Sequence, residues 1–203
     1  MTKIKICGLK RMNDVEYVNE FKPDFVGFVF AGTKRRIDKR IAAQLKEALD
    51  SEIKAVGVFV NEDINVIEDF ARCKIIDYVQ LHGDEDNDYI ASLKTRISLP
   101  IIKAVRVKNE DSIIKAKNLR SDYLLLDTYT PGQYGGTGES FNRNLIPKDI
   151  GEFFLAGGLG AHNIVQAVNE CEPFAVDLSS SVETDGFKDR EKIKQIIDIV
   201  RNI

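Results

Sequence analysis

Cysteine is scarce in this sequence, histidine scarcer, and tryptophan absent: three, two and none among 203 residues. Cys7, Cys73 and Cys171 lie far apart, are odd in number and form no CxxC pair, so neither a disulfide scaffold nor a zinc site is expected. No apolar run approaches the roughly 20 residues a membrane helix needs. The N-terminal MTKIKICGLK breaks its apolar residues with polar ones, unlike a secretory signal, and the expectation is a reducing, cytoplasmic location. Excess charge is lacking too. Lys and Arg number 29 against 32 Asp and Glu, a net charge of −3, which speaks against nucleic-acid or non-specific membrane partners but leaves room for a local anion site. No Pro/Gly/Ser-rich linker divides the chain.

What is present is 43% hydrophobic residues beside 30% charged ones, enough for one core of good size. Short, β-branched apolar runs recur along the whole length at 4–7, 25–30, 55–60, 78–81, 101–105, 123–126, 153–156 and 174–178. They are continuous rather than alternating, as parallel strands covered on both faces are. Amphipathic stretches of helical period separate them, for example Ile41, Leu45, Ala48 and Leu49, or Ile193, Ile196, Ile197 and Val200. A helix is expected after each strand, with Asn13, Asp38, Asn61, Asp84 and Asn109 as the residues where helices begin. Eight such units with short connections predict a single domain over residues 1–203, an α/β fold closed as a (β/α)8 TIM barrel, with an open doubly wound sheet as the alternative.

Catalytic groups in such a barrel sit at the C-terminal strand ends. Those positions are polar and glycine-rich here: Cys7-Gly8, the stretch from Gly32 to Arg36, His82-Gly83, Asp127 with the glycines that follow it, Gly157-Gly158, and Asp177 to Ser181. Glycines after strand seven and serines after strand eight favour a phosphate cradle over mere tight turns, since backbone NH groups can approach an anion there. Cys7 taken by residue type is a buried small hydrophobe, but its place at a strand end points to a functional thiol. Asp127 either caps a turn or, at the end of Leu124-Leu125-Leu126, is partly desolvated and suited to act as an acid. His82 is as readily a satisfied strand-end residue as a substrate contact. One of Arg35 and Arg36 fits a clamp on a carboxylate.

In order from strand one to strand eight, the motifs KICG (5–8), GFVF (27–30), VGVFVN (56–61), VQLHG (79–83), LLDT (125–128), YGGTG (134–138), AGGL (156–159) and FAVDLSS (174–180) resemble those of phosphoribosylanthranilate isomerases, enzymes of tryptophan biosynthesis. The resemblance implies a cofactor-free Amadori rearrangement of a small phosphoribosyl substrate by a monomer or homodimer. It implies Cys7 as general base, Asp127 as general acid, and Arg35, with Arg36 the alternative, on the anthranilate carboxylate. Gly136, Gly157, Gly158, Ser179 and Ser180 fall on phosphate-loop positions, and His82 and Asp177 on substrate-site positions without a definite role. Ordinary side-chain values, about 3.9 for Asp and 8.5 for Cys, leave both groups in the wrong state for these tasks, so the site must bring them together or reverse them. The histidine-pathway isomerase that performs the same rearrangement has aspartate where Cys7 stands, and a silent phosphate-binding barrel would need neither Cys7 nor Asp127.

Overall fold

The computed structural model describes residues 1–128 and 142–203. Eight parallel strands close in chain order: β1 (Lys3–Cys7), β2 (Phe25–Val29), β3 (Lys54–Phe59), β4 (Tyr78–Leu81), β5 (Ile101–Val107), β6 (Tyr123–Thr128), β7 (Phe153–Leu155) and β8 (Ala175–Leu178). The closure is β8 against β1, from Ala175 opposite Lys3 to Leu178 opposite Ile6. Around the barrel lie α1 (Met12–Phe21), α2 (Lys39–Ala48), α3 (Ile64–Arg72), α4 (Asn87–Lys94), α5 (Glu110–Lys117), α6 (Ile164–Cys171) and α7 (Arg190–Arg201). None of the described helices is long and apolar enough to cross a membrane.

Period-two alternation along each strand divides the core in two. Ile4, Ile6, Val26, Phe28, Val79 and Leu81 point outward into the layer shared with the helices, where α7 contributes Ile193, Ile196, Ile197 and Val200. Phe25, Val56, Ile102, Ala104, Leu125, Phe154, Ala156 and Ala175 form a separate interior cluster. Aromatic rings plug its lower end: Phe25 meets Tyr78 edge-on at 5.3 Å between centroids, and Tyr123 stacks on Phe174 at 5.0 Å. Such pairs add about 0.5–1.5 kcal/mol each beyond the burial of their surface. Above this aromatic floor, Lys5 and Gln80 form a buried polar layer inside the barrel.

Two of the five expected helix caps hold. Asp38 accepts from the Ile41 amide at 2.8 Å and Asn109 from the Ser112 amide at 3.1 Å. Elsewhere the helices start at other residues: Arg11 precedes α1, Asp63 caps α3 and Asp86 caps α4, so Asn13, Asn61 and Asp84 are corrected. Asn61 has a left-handed backbone, φ 49°, and its side-chain oxygen instead accepts from the Asp84 amide at 2.7 Å, stapling the β3 and β4 loops together. Among the described residues a helix does not follow every strand. Between β6 and β7 the described residues form only a 3-10 turn, Arg143–Leu145, with Pro147 just beyond it to bar an α-helix. An unforeseen hairpin of β9 (Glu183–Thr184) and β10 (Phe187–Lys188) follows β8. Asp185 and Gly186, φ 52° and 76°, make its two-residue turn, which requires positive φ at both positions.

Candidate active site

The C-terminal strand ends surround a cavity of about 960 Å³. Its wall includes Cys7 from β1, Arg35 from the β2 loop, His82 from the end of β4, and Asp127 from β6. Gly157 and Gly158 after β7, Asp177 on β8, and Ser179 and Ser180 after it complete the list of expected residues gathered there. Gly136 lies outside the described residues. Arg36 and His162 also line the cavity. Among the described residues no cluster of three or more His, Cys, Asp or Glu side chains is placed to hold a metal ion.

Cys7 faces inward at the top of β1 and is 8% exposed. The neighbouring strand makes room for it: a Cβ at Gly27 would lie 2.5 Å from the Cys7 sulfur. Two residues earlier on the same strand face, Lys5 is fully buried and donates to Asp177 Oδ2 at 3.0 Å and to Gln80 Oε1 at 2.7 Å. Burial pushes the Cys7 thiol above its ordinary value. The Lys5 ammonium opposes that rise, Asp177 adds to it, and Lys188 and Arg35 act on the side of Lys5. Burial raises Asp177 as well, against the pull of Lys5. For Lys5 burial alone would favour the neutral amine, but Asp177 and then Cys7 hold its value up, so a cation stays beneath the thiol.

Across the cavity, Asp127 is 5% exposed and its Oδ1 accepts from the Thr128 amide at 2.8 Å. Its Oδ2 stands 3.5 Å from His82 Nε2. Gly157, φ 85°, must be glycine here, because a Cβ would come within 2.2 Å of the Thr128 hydroxyl and 3.0 Å of Asp127 Oδ1. The strand-seven loop is thereby pressed against Asp127 and Thr128. Asn163 pins the rest of that loop, donating to the Gly158 carbonyl at 2.9 Å and accepting from the Gly160 amide at 2.9 Å. Its side chain makes no cap bond to α6, whose N-terminus opens beside the loop. The Ser179 hydroxyl donates to the Cys7 carbonyl at 3.0 Å, tying β8 to β1.

Arg35 lies across Gly8, where a Cβ would meet its Cδ at 2.5 Å. Its Nε and Nη2 grip Glu183 Oε1 and Oε2 at 2.7 and 2.8 Å, and Lys188 holds the same carboxylate at 2.8 Å. Burial works to raise Glu183, but the Arg35 hydrogen bond and Lys188 outweigh it and hold the group down at about 2. The contribution of this cluster is complete above the ordinary glutamate value of 4.5 and is lost as pH falls towards about 2. Arg36 is exposed on the same loop. Sequence reasoning missed Lys5, Gln80, Glu183 and Lys188. A lysine in the apolar run of β1 and an Asp-Gly hairpin turn after β8 were the available signals.

The family model described as N-(5'phosphoribosyl)anthranilate (PRA) isomerase matches residues 4–199. An N-(5'-phosphoribosyl)anthranilate isomerase of Endomicrobium trichonymphae is 51% identical over 203 residues, covering 100% of both chains. The crystal structure of phosphoribosyl anthranilate isomerase from Thermotoga maritima superposes with a TM-score of 0.91 at 38% identity, covering 100% of each chain. A structure of the same kind of enzyme in complex with reduced 1-(o-carboxyphenylamino)-1-deoxyribulose 5-phosphate has a TM-score of 0.83 at 35% identity, again over 100% of both chains. Likeness in sequence and in fold runs from end to end, and on it the chain belongs to the N-(5'-phosphoribosyl)anthranilate isomerase family.

Proposed function

We propose that residues 1–203 act as one catalytic domain that converts N-(5-phosphoribosyl)anthranilate to 1-(2-carboxyphenylamino)-1-deoxyribulose 5-phosphate, with Cys7 as general base and Asp127 as general acid. The observation that carries the reading is a buried thiol and a buried carboxylate lining one cavity beneath two glycine- and serine-rich loops. Asp127 delivers a proton to the furanose ring oxygen as the bond from that oxygen to the first sugar carbon breaks, leaving a protonated Schiff base. The Cys7 thiolate removes the proton from the second carbon to give the enolamine, which tautomerises to the ketone. Burial disfavours the thiolate and Lys5 offsets part of that cost from below, while Asp177 keeps Lys5 charged. The reaction is internal to one small molecule and consumes no second substrate. Turnover is followed by the loss of substrate fluorescence, and a rate no greater than that in buffer alone sinks the proposal.

The phosphate sits between the loops after β7 and β8, near the α6 N-terminus. Gly158 has φ 63°, a region aspartate tolerates better than most residues, so Gly158→Asp tests the charge without unfolding the loop. Product affinity is expected to fall about tenfold or more through the added negative charge. Affinity equal to wild type in the folded variant moves the cradle elsewhere.

Arg35 is the carboxylate clamp, because Glu183 fixes its Nε and Nη2 and leaves the Nη1 side of the guanidinium for substrate. Losing that charge-assisted contact costs about 1.5–3 kcal/mol, so Arg35→Ala is expected to lose roughly ten- to a hundredfold in kcat/KM. Arg36→Ala loses less, and Arg35→Lys recovers only part, since an ammonium lacks the planar fork. A larger loss at Arg36 reverses the assignment.

A further inference from the structure

The described interior holds a chain of polar side chains that the acid and base roles do not by themselves require. It runs from Asp177 to Lys5 (3.0 Å), to Gln80 (2.7 Å), to His82 (2.9 Å), and ends with His82 Nε2 at 3.5 Å from Asp127 Oδ2. Each link has only one polarity. An ammonium group can only donate, so the Gln80 atom facing Lys5 is the carbonyl oxygen. That turns the Gln80 amide nitrogen, which also only donates, towards His82 Nδ1. Nδ1 therefore accepts and carries no proton, and the ring hydrogen resides on Nε2. The Nε2 atom is buried, without a hydrogen-bond partner, and lies in the cavity beside Asp127.

We propose that Gln80, clamped by Lys5, is a positioning residue that holds His82 in the Nε2–H tautomer so that it donates to Asp127 Oδ2 during proton delivery. The inference rests on the reading of Asp127 as the general acid. The two tautomers act in opposite directions. With Nε2–H, the histidine offers a hydrogen to the carboxylate that Asp127 becomes after giving up its proton, and so eases that step. With Nδ1–H, a lone pair would face Oδ2, repelling the carboxylate and holding the acid proton back. Thr128 already satisfies Oδ1 through its amide, so Oδ2 is the oxygen left for both histidine and substrate.

The test combines nitrogen NMR of histidine-labelled enzyme with steady-state kinetics. The chain has only His82 and His162, so a His162→Gln sample identifies the two ring signals. Wild type at neutral pH is expected to show His82 protonated on Nε2 and bare at Nδ1. Gln80→Glu keeps an oxygen for Lys5 but presents an acceptor to Nδ1. The proton is then expected to move to Nδ1, and kcat to fall about tenfold, a modest share of the usual acid–base factor, with KM within about threefold of wild type. If Gln80→Glu does not fold, Gln80→Met removes the donor, and a mixture of tautomers with a similar loss of kcat is expected. Wild type protonated on Nδ1, a variant whose tautomer is unmoved, or a moved tautomer with unchanged kcat each overturns the proposal. Absence of turnover in wild type would instead sink the isomerase reading and the catalytic half of this inference with it, whereas a wrong tautomer in an active enzyme sinks this inference alone.

Discussion

Cys7→Ala and Asp127→Asn are each expected to reduce turnover by at least about a hundredfold, the lower end of what one general acid or base contributes. Neither change is expected to disturb the fold. Asparagine has the shape of aspartate and keeps an oxygen for the Thr128 amide, now donated at 2.8 Å. Alanine removes one sulfur from a site that already borders a cavity, so no sealed void is left behind. Product affinity is expected to stay near wild type, because the proposed phosphate loops and Arg35 are untouched. The loss lies in kcat rather than KM, as for groups that act only in the transition state.

The double variant sharpens the test. If thiol and carboxylate act on the same proton inventory, losing either stops the cycle, and the double variant is scarcely slower than the slower single one. Multiplying losses would show two independent steps. Near-normal turnover in either folded single variant removes that residue from the mechanism.

The strands were legible because each is covered on both faces, so its apolar run is continuous and needs no partner information to be seen. Helix starts were less so. Asn61 and Asp84 are good capping types, yet they bond each other across two loops, a contact set by the barrel and absent from local sequence. The residues around the cavity were legible as strand ends, but their partners were not. Nothing local places Glu183 against Arg35, 148 positions away, or Gln80 against Lys5, 75 positions away. A lysine in an apolar run could as well have snorkelled to the surface. Only closure of β8 on β1, which brings Asp177 beside Lys5, explains its burial.

Lys103→Met is expected to destabilise the protein by about 3–5 kcal/mol, the usual penalty for removing one partner of a buried ion pair. Lys103 and Glu85 are 5% and 6% exposed, with 2.9 Å between Nζ and Oε2. Lys103 also donates to the Gly83 carbonyl at 2.7 Å, while Glu85 accepts from the Asn61 amide at 2.8 Å and the Gly83 amide at 3.0 Å. The pair therefore anchors the β3 and β4 loops from outside the barrel, directly after His82. Methionine fills the space of the lysine stem but leaves the Glu85 carboxylate desolvated without its cation. At about 2–4 °C per kcal/mol for a chain of this size, the thermal midpoint falls by roughly 6–20 °C. Adding Glu85→Gln removes the stranded charge while keeping an oxygen for the loop amides, so the double variant recovers part of the loss. A single-variant shift under about 2 °C, or a double variant less stable than the single, shows that the loops are held by their backbone bonds and the Asn61 staple rather than by this pair.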